Sequence, residues 1–266
     1  MIDTKVFNEL MNRGVITQVG LDASKYVDLA DLQNCGLATG VGAKEDYDEI
    51  VAELINTDEI KAAFLAEVAK GGTVSLPMDL VFDAPITIEK NVTINLNGYS
   101  ITTNQWTEND GSTNSYAFWV KKGTLTLEGE GSVIANESSY SMAVWANGGN
   151  AVINGGKYYN NGDACDLIYL SGKSNVTING GEFVATLKGE GQGTNNKRSA
   201  INIKDANRAT CKVEVKGGKF FEFNPADNVS ETEHTNFVAA GYKVIASTDG
   251  WFTVEKSEVE IVNPVE

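Results

Sequence analysis

The chain has 266 residues, of which 42% are hydrophobic and 21% are charged, and its net charge is −15 with a pI near 4.5. This length suits one large domain, or one domain with an appendage. The negative charge would repel phosphate backbones and anionic membrane surfaces, so neither nucleic acid nor a membrane is an expected partner. The sequence starts without a basic segment followed by an apolar one and contains no long apolar run. We therefore expect cytoplasmic synthesis and no membrane span.

Helical patterns characterise the N-terminal region. Residues 3–12 predict a short amphipathic helix whose apolar face consists of Val6, Phe7, Leu10 and Met11. Residues 14–42 show no sustained period, and we interpret 1–42 as an attachment arm that uses this apolar face to bind a partner. Two further helices are predicted over 43–55 and 58–70, so that 43–70 forms a helical linker that ends before Gly71.

After Gly72 the hydrophobic period changes from 3.6 to 2, which predicts strands. One motif then recurs: two apolar residues in alternation, a glycine, and an apolar or aromatic residue three or four positions later. Its glycines lie at positions 98, 129, 155, 180 and 217, which gives intervals of 31, 26, 25 and 37 residues. A unit that repeats in this way predicts a mainly β fold, a right-handed parallel β-helix preceded by a short helical N-terminal attachment region. A β-sandwich is the alternative, but it has no need for the same unit in the same order.

Each repeat contains three strand segments, which we call lanes. The first lane comprises residues 117–120, 142–145, 167–170 and 200–203. The second lane precedes the glycine. The third lane follows the glycine and is expected to return a side chain to the core, namely Ile101, Val133, Tyr158, Phe183 and Phe220. These lanes predict a β-helix over 71–223 and a C-terminal capping segment over 224–266.

The first lane is apolar on both of its faces. Strict alternation assigns Trp145 to the interior and predicts an outward set of Trp119, Met142, Val144, Leu167 and Tyr169. Strands that are apolar on both faces are normally covered on both. The cover could be another subunit, the C-terminal segment of the chain, or a sugar bound to an aromatic strip. We predict that these five residues form a subunit interface around a three-fold axis.

Candidate catalytic and metal-binding groups are few. Asp163, Asp166, Glu182 and Asp205 are acidic residues that a lyase or glycosidase site would need, and we interpret them as turn and surface residues. His234 is the single histidine and lies in a polar stretch, so we expect a solvated loop residue. The three cysteines, Cys35, Cys165 and Cys211, have neither disulfide nor zinc spacing. No P-loop or dinucleotide fingerprint occurs, and no cofactor is expected. The loops 103–116 and 186–199 are long enough to shape a glycan groove with Trp106, although ordinary surface loops are commoner.

Two segments carry a family resemblance. Residues 69–101, "AKGGTVSLPMDLVFDAPITIEKNVTINLNGYSI", resemble the opening coil of β-helix proteins of phages and gut-bacterial surfaces, and residues 220–254 resemble their closing unit. The resemblance covers about residues 60–254. It implies pectate-lyase-like right-handed architecture and, in virion fibres and spikes, trimers; it does not imply catalysis.

We therefore predict a non-enzymatic structural phage virion protein. In this interpretation it is a homotrimeric head fibre or capsid decoration protein, anchored through residues 1–42, on the surface of a particle assembled in the host cytoplasm. The alternative is a tail spike or tail fibre that binds or degrades host surface glycan. A bacterial surface adhesin is a third possibility, against which the absence of an export signal counts.

Overall fold

The computed structural model describes residues 57–107, 111, 113–136, 140–160, 164–185 and 199–258. The chain divides at residue 62, and apart from the start of one helix the described residues belong to the unit 63–266. That helix, α1, spans Thr57–Lys70, as predicted, and carries Asp58 and Glu59 in its first turn. No helix among the described residues has the length and apolar character needed to cross a membrane.

The rest of the described chain is organised in three sheets, one for each predicted lane. The first sheet contains, in spatial order, β3 (Ile86–Ile88), β7 (Thr113–Val120), β10 (Tyr140–Asn147), β13 (Ala164–Ser171) and β16 (Ser199–Ile203), and β6 (Trp106–Thr107) pairs with β7. The second contains β1 (Gly72–Ser75), β4 (Val92–Asn95), β8 (Thr124–Glu128), β11 (Asn150–Ile153), β14 (Asn175–Ile178) and β17 (Lys212–Val215). The third contains β2 (Leu80–Phe82), β5 (Ser100–Thr103), β9 (Ser132–Ala135), β12 (Lys157–Asn160), β15 (Glu182–Ala185), β18 (Lys219–Phe221), β20 (Trp251–Lys256) and β19 (Tyr242–Ala246).

Strands of successive repeats pair in parallel within each sheet; β6, β19 and β20 make the antiparallel pairs among the described strands. Each full repeat runs from the first sheet to the second and then to the third, as β7, β8 and β9 do. The prediction of a mainly β protein with parallel sheets is confirmed.

The core consists of rows, which are sets of residues paired across neighbouring strands. The predicted third-lane residues form one such row: Ile101 pairs with Val133, Val133 with Tyr158, Tyr158 with Phe183, and Phe183 with Phe220. All five are fully buried. The rings of Tyr158, Phe183 and Phe220 stack at 5.0 and 4.7 Å between centroids, with 9° between planes. We call these three rings the inner stack.

The predicted register of the second lane holds except in its first copy. Leu125, Ala151, Val176 and Val213 share a row, as expected. The strand β4 pairs Ile94 with Leu127, whereas the glycine spacing predicted Leu125 as the partner. The offset is two residues, and the corner that follows this strand contains Asn97, whose φ is 56°. A two-residue shift leaves the same side chains facing inwards, so Ile94 and Leu96 are still fully buried.

Glycine pairs form the corner between the second and third sheets. In three repeats the second glycine of the pair has a positive φ, of 86° at Gly156, 106° at Gly181 and 99° at Gly218. The first glycine of a pair meets a different constraint, because a Cβ at Gly180 would lie 2.7 Å from the Asn154 carbonyl oxygen. The corner therefore needs one glycine for backbone conformation and one for close approach of the preceding repeat.

The last repeat is covered by the segment that follows it. Strand β20 pairs antiparallel with β18 in the third sheet, and Val238 forms a parallel bridge with Val215 in the second. In the first sheet, the backbone N–H of Ile203 donates to Glu231 Oε1 at 2.6 Å. At this edge of each sheet, backbone groups that could otherwise pair with another chain thus form hydrogen bonds within this chain.

Candidate functional site

The outer face of the first sheet differs from the prediction by one residue in β10. Trp145 pairs with Trp119 and with Tyr169, so these three aromatic residues occupy one row, which continues to Asn202. Val144 pairs with Phe118 and is fully buried. The assignment of Trp145 to the interior and of Val144 to the exterior was therefore wrong. Alignment of residues 117–120 and 142–145 by their ends places Trp119 beside Val144, whereas the strands pair the two tryptophans.

Two other members of the predicted interface also offer little surface. Leu167 is fully buried and Met142 is 7% exposed. Trp119 and Tyr169 are half-buried. The apolar surface that was expected to contact another subunit is therefore limited to the row of aromatic residues.

We call Trp119, Trp145 and Tyr169 the outer ladder. The two tryptophans stack at 5.2 Å with 7° between their planes, and Tyr169 follows at 6.3 Å with a tilt of 46°. Two more rings border the ladder, since Tyr116 meets Trp145 edge-on at 5.0 Å and Trp106 meets Tyr116 edge-on at 5.0 Å. Aromatic residues that repeat at one register position stack because neighbouring strands hold them about 4.8 Å apart.

The faces of the two tryptophans are already occupied. Lys121 Nζ lies 3.8 Å above the ring centroid of Trp119, whose other side stacks against Trp145. Trp145 Nε1 donates to Ser171 Oγ at 2.8 Å, whereas Trp119 Nε1 is buried without an acceptor among the described residues. Tyr169 is different, because it is tilted away from Trp145 and the next residue of its row is Asn202 rather than another ring.

Polar groups surround this end of the ladder. Asn202 Nδ2 donates to Asp166 Oδ2 at 2.9 Å. Burial raises the pKa of Asp166 to about 6, the hydrogen bond from Asn202 opposes that rise, and the charge of Glu231 adds to it. Burial, together with the charges of Asp166, Asp205 and Glu231, raises the pKa of Tyr169 to about 12. Asn202 pairs with Tyr169 across the strands and donates to Asp166, so these three residues lie together. We call Tyr169, Asp166 and Asn202 the polar end.

Glu231 is held firmly beside the polar end. Its side chain is 8% exposed, and its Oε2 accepts from Arg208 Nε at 2.8 Å while its Oε1 accepts from the Ile203 backbone. Arg208 also reaches Asp205 at 2.8 Å. Both oxygens of Glu231 are engaged, so this carboxylate has a structural role in fixing the end of β16.

The remaining predicted residues lie elsewhere. Asp166 belongs to β13 and is half-buried, so its interpretation as a turn or solvated residue was wrong. Glu182 is in the third sheet, 3.7 Å from Lys157 Nζ, and Asp205 begins a short 3-10 turn. The His234 side chain is 84% exposed, which confirms a solvated residue, and its Nδ1 lies 2.9 Å from Asp227 Oδ1.

Several predicted residues are not among those described. These are Asp163, the loop residues 186–198, the predicted helix 43–55, and the attachment arm 1–42 with Val6, Phe7, Leu10, Met11 and Cys35. Within the described ranges, no group of three or more histidine, cysteine or acidic side chains is arranged to hold a metal ion.

A sequence signal for the polar end does exist. The triplets Phe118–Val120, Val144–Ala146 and Ile168–Leu170 each place an aromatic residue between two apolar ones. Alignment on this triplet, rather than on lane ends, would have placed the three rings in one row. The neighbouring Asp166 lies three residues before Tyr169, and Asn202 takes the aromatic position in the next repeat.

Comparisons with known proteins identify no relative. No protein-family model, curated protein or solved structure matches the chain. We therefore infer a function from the geometry and chemistry of the outer face of the first sheet.

Proposed function

We propose that this chain is a non-enzymatic fibre protein of the phage virion type, whose right-handed parallel β-helix binds a host-surface glycan at the polar end. The parallel pairing of successive repeats in three sheets supports the helix, since crossover connections between parallel strands are right-handed in almost all proteins. The virion assignment depends on the sequence resemblance described above.

The single observation that carries glycan binding is the juxtaposition of Tyr169, Asp166 and Asn202. A sugar ring presents C–H groups on its faces and hydroxyl groups around its edge. An aromatic face suits the former, while a carboxylate acceptor and an amide that both donates and accepts suit the latter. Binding sites generally combine apolar surface with a few placed polar groups, and the polar end has this composition.

The hydrogen bonds of the second carboxylate, that of Glu231, favour glycan binding over glycan hydrolysis. A glycosidase needs two carboxyl groups that converge on the scissile bond, one as acid and one as base or nucleophile. Asp166 could protonate a leaving group, but both oxygens of Glu231 accept hydrogen bonds from Arg208 and the Ile203 backbone. A carboxylate engaged in this way is a poor base, so we assign the site to recognition.

A homotrimeric head fibre is the second candidate, and a row on the third sheet favours it. Val81, Thr102, Ile134, Tyr159 and Val184 pair in sequence across five strands. Val81 is 42% exposed and the others are half-buried, so this row is a better subunit surface than the predicted first-sheet lane. Native mass spectrometry of the full chain tests it: we expect a trimer, and a monomer at micromolar concentration would exclude this candidate.

The test of glycan binding uses the full chain and an array of purified capsular polysaccharides and lipopolysaccharide O-chains. We expect the wild type to bind a subset of the array and Tyr169→Ala to lose at least about tenfold in affinity, because the ring supplies the apolar contact. Tyr242→Ala is the matched control, since it removes a half-buried tyrosine from β19, outside the row proposed as a subunit surface. Failure of the wild type to bind any polysaccharide of the array would refute the proposal.

A further inference from the structure

The charges around the polar end are unevenly distributed. Asp166, Asp205 and Glu231 all act on the Tyr169 hydroxyl, and Arg208 is the cation that pairs with the latter two. Asp166 accepts a hydrogen bond from Asn202, an uncharged donor, and it is not part of the ion pairs that Arg208 makes. Lys121 lies at the opposite end of the outer ladder, above Trp119. The described carboxyl groups that act on Tyr169 thus outnumber the cation paired with them, within a chain whose net charge is −15.

A half-buried carboxylate in such a place disfavours a second anion. Its field is screened less than that of an exposed group, and the neighbouring Glu231 adds repulsion of the same sign. An uncharged hydroxyl group gains from the same carboxylate, since it donates to an ionised acceptor and forms a shorter and stronger hydrogen bond than it would with a neutral one. Two hydroxyl groups on adjacent sugar carbons could each use an oxygen of Asp166.

We infer that the ligand of this site is a glycan without acidic groups, whose hydroxyl groups donate to the Asp166 carboxylate while one sugar ring packs against Tyr169. This inference rests on the proposed function and names the class of glycan for it. Asn202 positions the carboxylate through its 2.9 Å hydrogen bond, and it presents its own amide beside the ring. Sugars that carry uronate, sialate, phosphate or pyruvate groups are excluded near the polar end by repulsion from Asp166 and Glu231.

The experiment compares two halves of one polysaccharide array: neutral or amine-bearing chains, and chains with uronate or sialate groups. The full-length wild type is probed at constant ionic strength. We expect neutral or amine-bearing chains to bind at least about tenfold more tightly than acidic ones. Asp166→Asn should lower the affinity for the bound chains by about tenfold or more, because the amide offers one acceptor oxygen where the carboxylate offers two charged ones.

Glu130→Gln is the matched control. It removes the same charge from an exposed side chain two residues after the end of β8, outside the polar end, and should leave affinity unchanged. Asp166→Ala provides a second variant, and thermal unfolding of each variant verifies that it is folded.

The outcomes separate the inference from the function on which it rests. Acidic chains that bind as tightly as neutral ones, or an Asp166→Asn variant with wild-type affinity, would overturn the inference. In either case a loss of binding in Tyr169→Ala would leave glycan recognition at this site standing. If no chain of either class binds the wild type, the proposed function falls and the inference falls with it.

Discussion

The inner stack and the outer ladder each consist of one aromatic residue per repeat at a fixed register position, but their surroundings differ. The rings of Tyr158, Phe183 and Phe220 lie on the inner side of the third sheet, are fully buried and remain parallel within 9°. The outer ladder is half-buried, and its stacking ends where Tyr169 tilts by 46°. The difference shows that register alone produces stacking, whereas the environment decides whether a ring is used for stability or left with a face for a ligand.

The largest effect on stability is expected from Phe183→Ala, at the centre of the inner stack. Phe183 has ring neighbours on both sides and lies next to Gly181, so its removal leaves a cavity that the rigid corner cannot close. We expect a loss of about 3–5 kcal/mol in the free energy of unfolding. Urea denaturation followed by far-UV circular dichroism measures it.

The comparison is with Trp145→Ala, at the centre of the outer ladder. Trp145 also has ring neighbours on both sides, but it is half-buried and solvent can fill the space that it leaves. The cost should be about 1–2 kcal/mol, from one lost hydrogen bond to Ser171 and part of the apolar contact. Equal losses in the two variants would show that the inner and outer rings do not differ in role.

The inner stack could be predicted from the sequence because a glycine fixes its position. Tyr158, Phe183 and Phe220 each follow a Gly-Gly pair by two residues, and the corner geometry leaves no freedom between the pair and the strand. The first sheet has no such marker. Val120 lies nine positions before its glycine, whereas Ile203 lies fourteen positions before its own. Lane ends were therefore an unreliable guide to register, and a shift of one residue exchanged Val144 and Trp145.

The polar end could be predicted only in part. Tyr169 was expected on the outer face, and it is half-buried there. Asp166 was interpreted as a turn or surface residue, whereas it lies in β13 and is half-buried. Glu231 lies 65 residues further along the chain, and only the return of the C-terminal segment to β16 brings its charge near Asp166. Sequence periodicity contains no information on that contact.

The smallest effect on stability is expected from Asp166→Asn, and this effect depends on pH. The pKa of Asp166 rises on folding from its ordinary value of 3.8 to about 6, so the folded state binds this proton more tightly than the unfolded state does. The contribution of Asp166 to stability is therefore greatest below about pH 4, falls between pH 4 and 6, and stays at its lowest level above that range. An asparagine does not titrate. We expect the free energy of unfolding of the variant to increase relative to that of the wild type between pH 4 and 6. The difference should be about 1 kcal/mol at neutral pH once solvent screening is allowed for.

Thermal unfolding of both proteins at pH 4, 5, 6 and 7.5 measures this difference, with Glu130→Gln as the control for a lost charge on an exposed side chain. A constant difference across the series would show that the Asp166 carboxyl group is not destabilised by its surroundings. A difference that grows to a plateau above pH 6 would mean that the chain retains a carboxylate at a cost in stability. Residues of the inner stack stabilise the fold. A carboxylate beside Tyr169 that lowers the free energy of unfolding does not, which favours a role in recognition over a role in folding.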